Sequence, residues 1–136
     1  MKRLLVLCVT LICLAGCVSV SDDVLGTSQT QLQMRNYQSR AFDTTNKEMV
    51  MRAVISTLQD LGFIIERADQ TLGTISGTSF TYGGSQLTVS VRQVGKQIVV
   101  RANAQRGLNA IEEPLAYQNF FNALGQSLFL EAHEVQ

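Results

Sequence analysis

The chain has no tryptophan, one proline and one histidine among its 136 residues. Its three cysteines, Cys8, Cys13 and Cys17, all fall near the N-terminus. Beyond Cys17 there is no thiol, which excludes disulfides, thiolate zinc sites and cysteine nucleophiles from the rest of the chain. The lone histidine, His133, lies close to the C-terminus and reads as a solvated tail residue. A histidine metal site or a Ser-His-Asp triad needs partners that are not there. Charge of either sign is not in excess, with 11 basic and 11 acidic residues. The sequence thus has no basic footprint for nucleic acid and no polybasic membrane patch.

Phosphate-loop chemistry is also missing. Gly73, Gly77, Gly83 and Gly84 have no strand-loop-helix context and no following Lys-Ser/Thr, so they read as turn and bulge positions. The carboxylates Asp43, Asp60, Glu66, Asp69, Glu112 and Glu113 are scattered. Asp43 flanks a helix start, Asp69 suits a turn, and Glu112 and Glu113 suit the positive end of a helix. Their spacing does not indicate a placed acid/base pair. No enzyme activity, cofactor or metal is expected.

What the chain does have is an export signal. Lys2 and Arg3 precede an apolar run, Leu4 to Leu14, broken only by Thr10. That run is shorter than the about 20 residues a membrane-spanning helix needs. The small residues Ala15 and Gly16 follow, as a cleavage site requires. Leu14-Ala15-Gly16-Cys17 resembles the lipobox of bacterial lipoproteins. The resemblance implies a cut before Cys17, diacylglycerol on its sulfur, and acylation of the new N-terminus. Each methylene buried in the bilayer contributes about 0.8 kcal/mol, so two or three chains anchor far better than one. Val18 stands where Asp marks inner-membrane retention in Gram-negative families of this kind. The resemblance therefore implies the outer membrane, facing the periplasm. Loss of Lys2 and Arg3 shifts the formal charge from 0 to about −2.

Three parts follow from this: a signal peptide at 1–16, a lipidated flexible tether at 17–33, and a single domain at 34–136. The tether is rich in Ser, Asp, Thr and Gln. As a random coil it reaches about 20–25 Å. The alternative is a segment that orders on a partner through Val24, Leu25 and Leu32.

Within the domain, Arg35 to Phe42 is expected as a first strand of weak alternation. Thr45-Asn46-Lys47-Glu48 fits a capping box, with Thr45 as the cap. Val50, Ala53, Val54, Thr57, Leu58 and Leu61 recur on one helical face, and Gly62 suits the stop. Phe63 to Ala68 and Gly73 to Phe80 read as strands. Leu87, Val89 and Val91, then Ile98, Val100, Ala102 and Ala104, alternate with polar residues around Gly95-Lys96, which predicts a hairpin. Arg106 to Glu113 reads as a loop. Pro114 opens a last helix striped by Tyr117, Phe120, Phe121, Leu124 and Leu128, with Phe129 and Leu130 widening the stripe.

The fold class expected is α+β, a single antiparallel sheet with two helices on one face, in the order β-α-β-β-β-β-α. This order resembles the helix-grip domains of BamC-like outer-membrane lipoproteins, over Arg35 to Ala132, and carries over no functional residue. The function expected is a non-enzymatic binding or scaffold module of an envelope protein complex, anchored to the bilayer by Cys17. The alternative is a carrier of a small apolar or lipid ligand in a cleft under the C-terminal helix. An aromatic stripe at helical spacing equally reads as core, each side chain contributing about 1.5–3 kcal/mol when buried. Candidate partner contacts are Phe80 and Tyr82, which flank Gly83-Gly84, and Leu108 and Ile111 in the loop. The other reading tucks these side chains over the sheet edge.

Overall fold

The computed structural model describes residues 31–81 and 83–134. The signal segment, Cys17 and the tether up to residue 30 lie outside the described residues, as does Tyr82. The chain divides into two units, Met1–Gln31 and Leu32–Gln136, and the second is described below.

Residues 31–37 are helical. The helical turn closes with Gln38 N donating to Met34 O at 3.0 Å. Strand β1 is then only Ser39–Phe42. The first strand expected from Arg35 is therefore four residues shorter at its start. Its weak alternation gave no apolar face to hold those residues in a sheet.

Helix α1, Lys47–Asp60, is capped by Asn46, whose Oδ1 accepts from Met49 N at 3.0 Å. The cap thus falls one residue after the expected Thr45. Asn is at least as good an acceptor there as Thr. Thr44 supports it, its Oγ1 accepting from Asn46 N at 3.2 Å. Glu48 does not reach back and instead lies 3.8 Å from Arg52. At the other end Gly62 takes φ 81°. Its N donates to Gln59 O, and Phe63 N donates to Leu58 O at 2.8 Å. This is the paired bonding of a Schellman stop, which needs a residue free to adopt positive φ.

Four further strands form the body of the sheet: β2 (Ile64–Asp69), β3 (Thr74–Ser79), β4 (Ser85–Val94) and β5 (Gln97–Arg106). Every neighbouring pair is antiparallel, in the spatial order β1-β5-β4-β3-β2. Gly95, φ 61°, opens the two-residue turn between β4 and β5. A two-residue link of this kind matches the strands' twist only with positive φ at its first position. A sixth strand, β6 (Asn109–Ala110), pairs with Gln105 and Arg106. It lies inside the stretch expected to be a loop. Two residues of ladder are too short to leave a periodic signal.

Helix α2, Pro114–Glu134, starts at the only proline, as expected. Tyr117, Phe120, Phe121, Leu124 and Leu128 are buried on one line of it. Phe129 and Leu130 are exposed and do not widen the stripe. They stand about 100° and 200° round the helix from Leu128, which turns them off the sheet.

One face of the sheet is apolar. Ile75, Leu87, Val89, Val91, Ile98, Val100 and Ala102 are buried there in one cluster with the inner faces of α1 and α2. The other face is polar. A register shift between Ile65 and Arg67 marks a bulge at Glu66. Its carboxylate accepts from Thr78 Oγ1 at 2.6 Å and from Gln86 Nε2 at 3.4 Å. Gln105 Nε2 continues the row to Gln86 Oε1 at 2.6 Å. Four strands are thus linked by side chains on the open face.

A candidate binding pocket at the loop end of the sheet

Strand register gathers Phe80, Leu108 and Ile111 at one end of the sheet. Ser79 lies opposite Ser85, and Ser85 opposite Arg106. The turn after β3, which carries Phe80, and the turn after β5, which carries Leu108, therefore leave the sheet at the same end. The stop of α1 comes to this end too, since a Cβ on Gly62 would sit 3.8 Å from Thr81 Oγ1. A cavity of about 170 Å³ opens between these elements and the first turns of α2. Its lining includes Leu61, Phe63, Leu87, Ala104 and Phe120, with the buried Ser85 beside them.

The tyrosine at its base fixes the wall. Tyr117 is buried, and its hydroxyl donates to Ile111 O at 2.7 Å. The same oxygen accepts from Ala104 N at 3.1 Å and from Gln38 Nε2 at 3.3 Å. Ile111 N in turn donates to Ala104 O at 2.8 Å. The segment between β6 and α2 is thereby held to β5 on one side and to α2 on the other. Tyr37 packs on Tyr117 with ring centroids 5.7 Å apart, and its hydroxyl donates to Glu112 O at 3.0 Å. Partial burial raises the Tyr37 phenol above its usual pKa, and the negative Glu112 and then Tyr117 add to the effect.

The mouth carries charge of both signs. Arg106 comes from the end of β5 and Glu113 from the residue before α2, and both line the cavity. They also line an adjoining shallow trough that runs past Asn109, Ala110, Glu112 and Pro114, so a second carboxylate lies on the Glu113 side. Among the described residues, no ion pair or hydrogen bond engages either side chain.

The residues singled out in the sequence take distinct places. Phe80 and Leu108 are exposed, at 76% and 103% of their free surface. Ile111 is half-buried in the cavity wall. Tyr82 and Cys17 lie outside the described residues. Arg106 and Glu113 were not foreseen as site residues. A signal for Arg106 was present: it continues the inward set Ile98, Val100, Ala102, Ala104, so the alternation itself aims a cation at the helix side. Glu113 was read only as a helix-dipole partner.

Among the described residues, no group of three or more His, Cys, Asp or Glu could hold a metal ion, and no helix is long and apolar enough to cross a membrane. No known family's sequence profile and no curated protein matches this chain.

Proposed function

We propose that this chain is a bacterial envelope lipoprotein whose folded domain is a non-enzymatic binding module for a protein partner. The lipobox at Leu14-Ala15-Gly16-Cys17 supports anchoring through acylated Cys17. Val18 after it supports the outer membrane, with the domain facing the periplasm. The resemblance of the element order to the helix-grip domains of BamC-like lipoproteins supports an envelope role.

The observation that carries the binding reading is the size of the cavity together with its surroundings. A volume of about 170 Å³ is below the roughly 300–1,000 Å³ of pockets that hold whole small-molecule ligands. It is near the ~150 Å³ of a cavity that holds one benzene. One apolar side chain fits it. A lipid tail does not fit this cavity, because Tyr117, Phe120 and Phe121 fill the space under α2 as core, and the adjoining trough of about 560 Å³ is shallow and open to solvent. The carrier reading therefore has less support. The exposed Phe80 and Leu108 beside the cavity supply further apolar contact area for a partner.

The test uses a photo-crosslinking side chain at Leu108 in the lipid-anchored protein, in its native envelope. The expected result is an adduct with a discrete protein in the Cys17 form. The Cys17→Ser form accumulates as an uncut precursor without acyl label. Acyl labelling that survives Cys17→Ser would overturn the anchor, and adducts with lipid alone would overturn the binding module.

A further inference from the structure

The cavity is specific about what it accepts, because its lining is mostly apolar, with the buried Ser85 among it, and its mouth carries both charges. We propose that it takes one leucine- or phenylalanine-sized side chain of an extended partner segment, which carries an acidic residue on the Arg106 side and a basic residue on the Glu113 side. This rests on the binding-module reading above and adds the chemistry of the partner.

Three observations support it. The first is fit, since about 170 Å³ bounded by Leu61, Phe63, Leu87 and Phe120 suits a single apolar side chain. The second is continuity. Arg106, Ile111 and Glu113 line both the cavity and the trough along β6, so a chain lying in the trough passes the cavity mouth. An extended segment presents alternate side chains on one side at about 6.6–6.8 Å intervals, which places a residue on either side of the inserted one.

The third observation is charge. Arg106 and Glu113 face the same mouth yet do not pair with each other or, among the described residues, with any other group. A ligand of one sign would gain from one wall and be repelled by the other. A segment with both signs, correctly ordered, satisfies both, and the reversed order meets like charge twice. Such an arrangement sets direction and rejects wrong partners more than it adds affinity.

The test uses the full lipidated chain in detergent micelles at low salt. The probes are end-blocked pentapeptides with a central leucine, one aspartate and one arginine two positions to either side, in both orders. A neutral peptide with asparagine and glutamine, a glycine-centred peptide and free leucine complete the set. Binding is followed by amide shifts of Ala104 and Ile111. The expected result is that one order binds about tenfold tighter than the neutral peptide. Arg106→Glu removes that advantage, and Arg106→Glu combined with Glu113→Arg shifts the preference toward the opposite order, less than fully because Glu112 in the trough stays acidic. Equal binding of charged and neutral leucine peptides overturns the charge rule while the pocket reading stands. Equal binding of leucine- and glycine-centred peptides, or binding by none, overturns the pocket reading itself. Free leucine binding as tightly as the best peptide overturns the extended segment.

Discussion

The Tyr117 hydroxyl donates to the Ile111 carbonyl at 2.7 Å and so joins the start of α2 to the segment that leaves β6. Two further groups, Ala104 N and Gln38 Nε2, depend on the same oxygen. Tyr117→Phe keeps the ring in the core and removes only the bonds. An unsatisfied buried polar group costs about 1–3 kcal/mol, and the partly exposed wall lets water recover some of it. The expected loss is about 2–3 kcal/mol by urea unfolding, with faster amide exchange at Ile111. A loss under about 0.5 kcal/mol would show that the hydroxyl does not hold the wall.

Gly73 and Gly95 both have positive φ, at 68° and 61°. They differ in surroundings. A Cβ on Gly73 would collide with the Val91 carbonyl, while on Gly95 it meets nothing within 4 Å. Gly95→Ala should cost only the left-handed strain, about 1–2 kcal/mol. Gly73→Ala should cost at least about 1 kcal/mol more, because backbone must shift. Equal losses in paired denaturant titrations would refute the collision.

These two glycines also show what the sequence could and could not disclose. Gly95 sat between two alternating runs, and the hairpin followed from it. Gly73 reads as the first residue of a strand that in fact starts at Thr74, and a sequence cannot tell a bulge from a close approach there. The helical stripe from Val50 to Leu58 was legible because a period of 3.6 persists over three turns. The shift of the cap from Thr45 to Asn46 was not, since both residues can accept from the first turn. The cavity was the least legible feature. It lies where α1, the end of β5 and the approach to α2 converge, and no local pattern reports such a meeting. Arg106 reads as the start of a loop, although strand alternation carried past Ala104 places its charge on the apolar side.

Tyr37 offers a pH test. Its phenol is raised above the ordinary value of 10.0, by partial burial first and by Glu112 next. The folded state therefore holds this proton more tightly than the unfolded chain does. Stability from this group is intact below pH 10 and falls as pH rises through the raised folded value. Ionisation would also remove the donor to Glu112 O. Unfolding midpoints measured between pH 8 and 11 should drop more steeply for the parent than for Tyr37→Phe. Parallel curves would assign the decline to other groups.

The absence of tryptophan makes the cavity open to a direct optical test. Ala116 is an exposed residue of the first turn of α2 and lines the mouth. Ala116→Trp should change stability by no more than about 0.5 kcal/mol, because no buried contact or hydrogen bond is lost. An indole there can lay its apolar face over Leu61 and Phe63, which withdraws it from water. Its emission should be shifted to the blue of that from Leu108→Trp, whose side chain replaces the most exposed large apolar residue among the described ones. It should also obstruct the mouth and weaken the leucine peptide, while Leu108→Trp leaves the cavity open. Identical emission from the two variants, together with unchanged peptide binding in Ala116→Trp, would mean that the space beneath Ala116 receives no side chain, added or foreign.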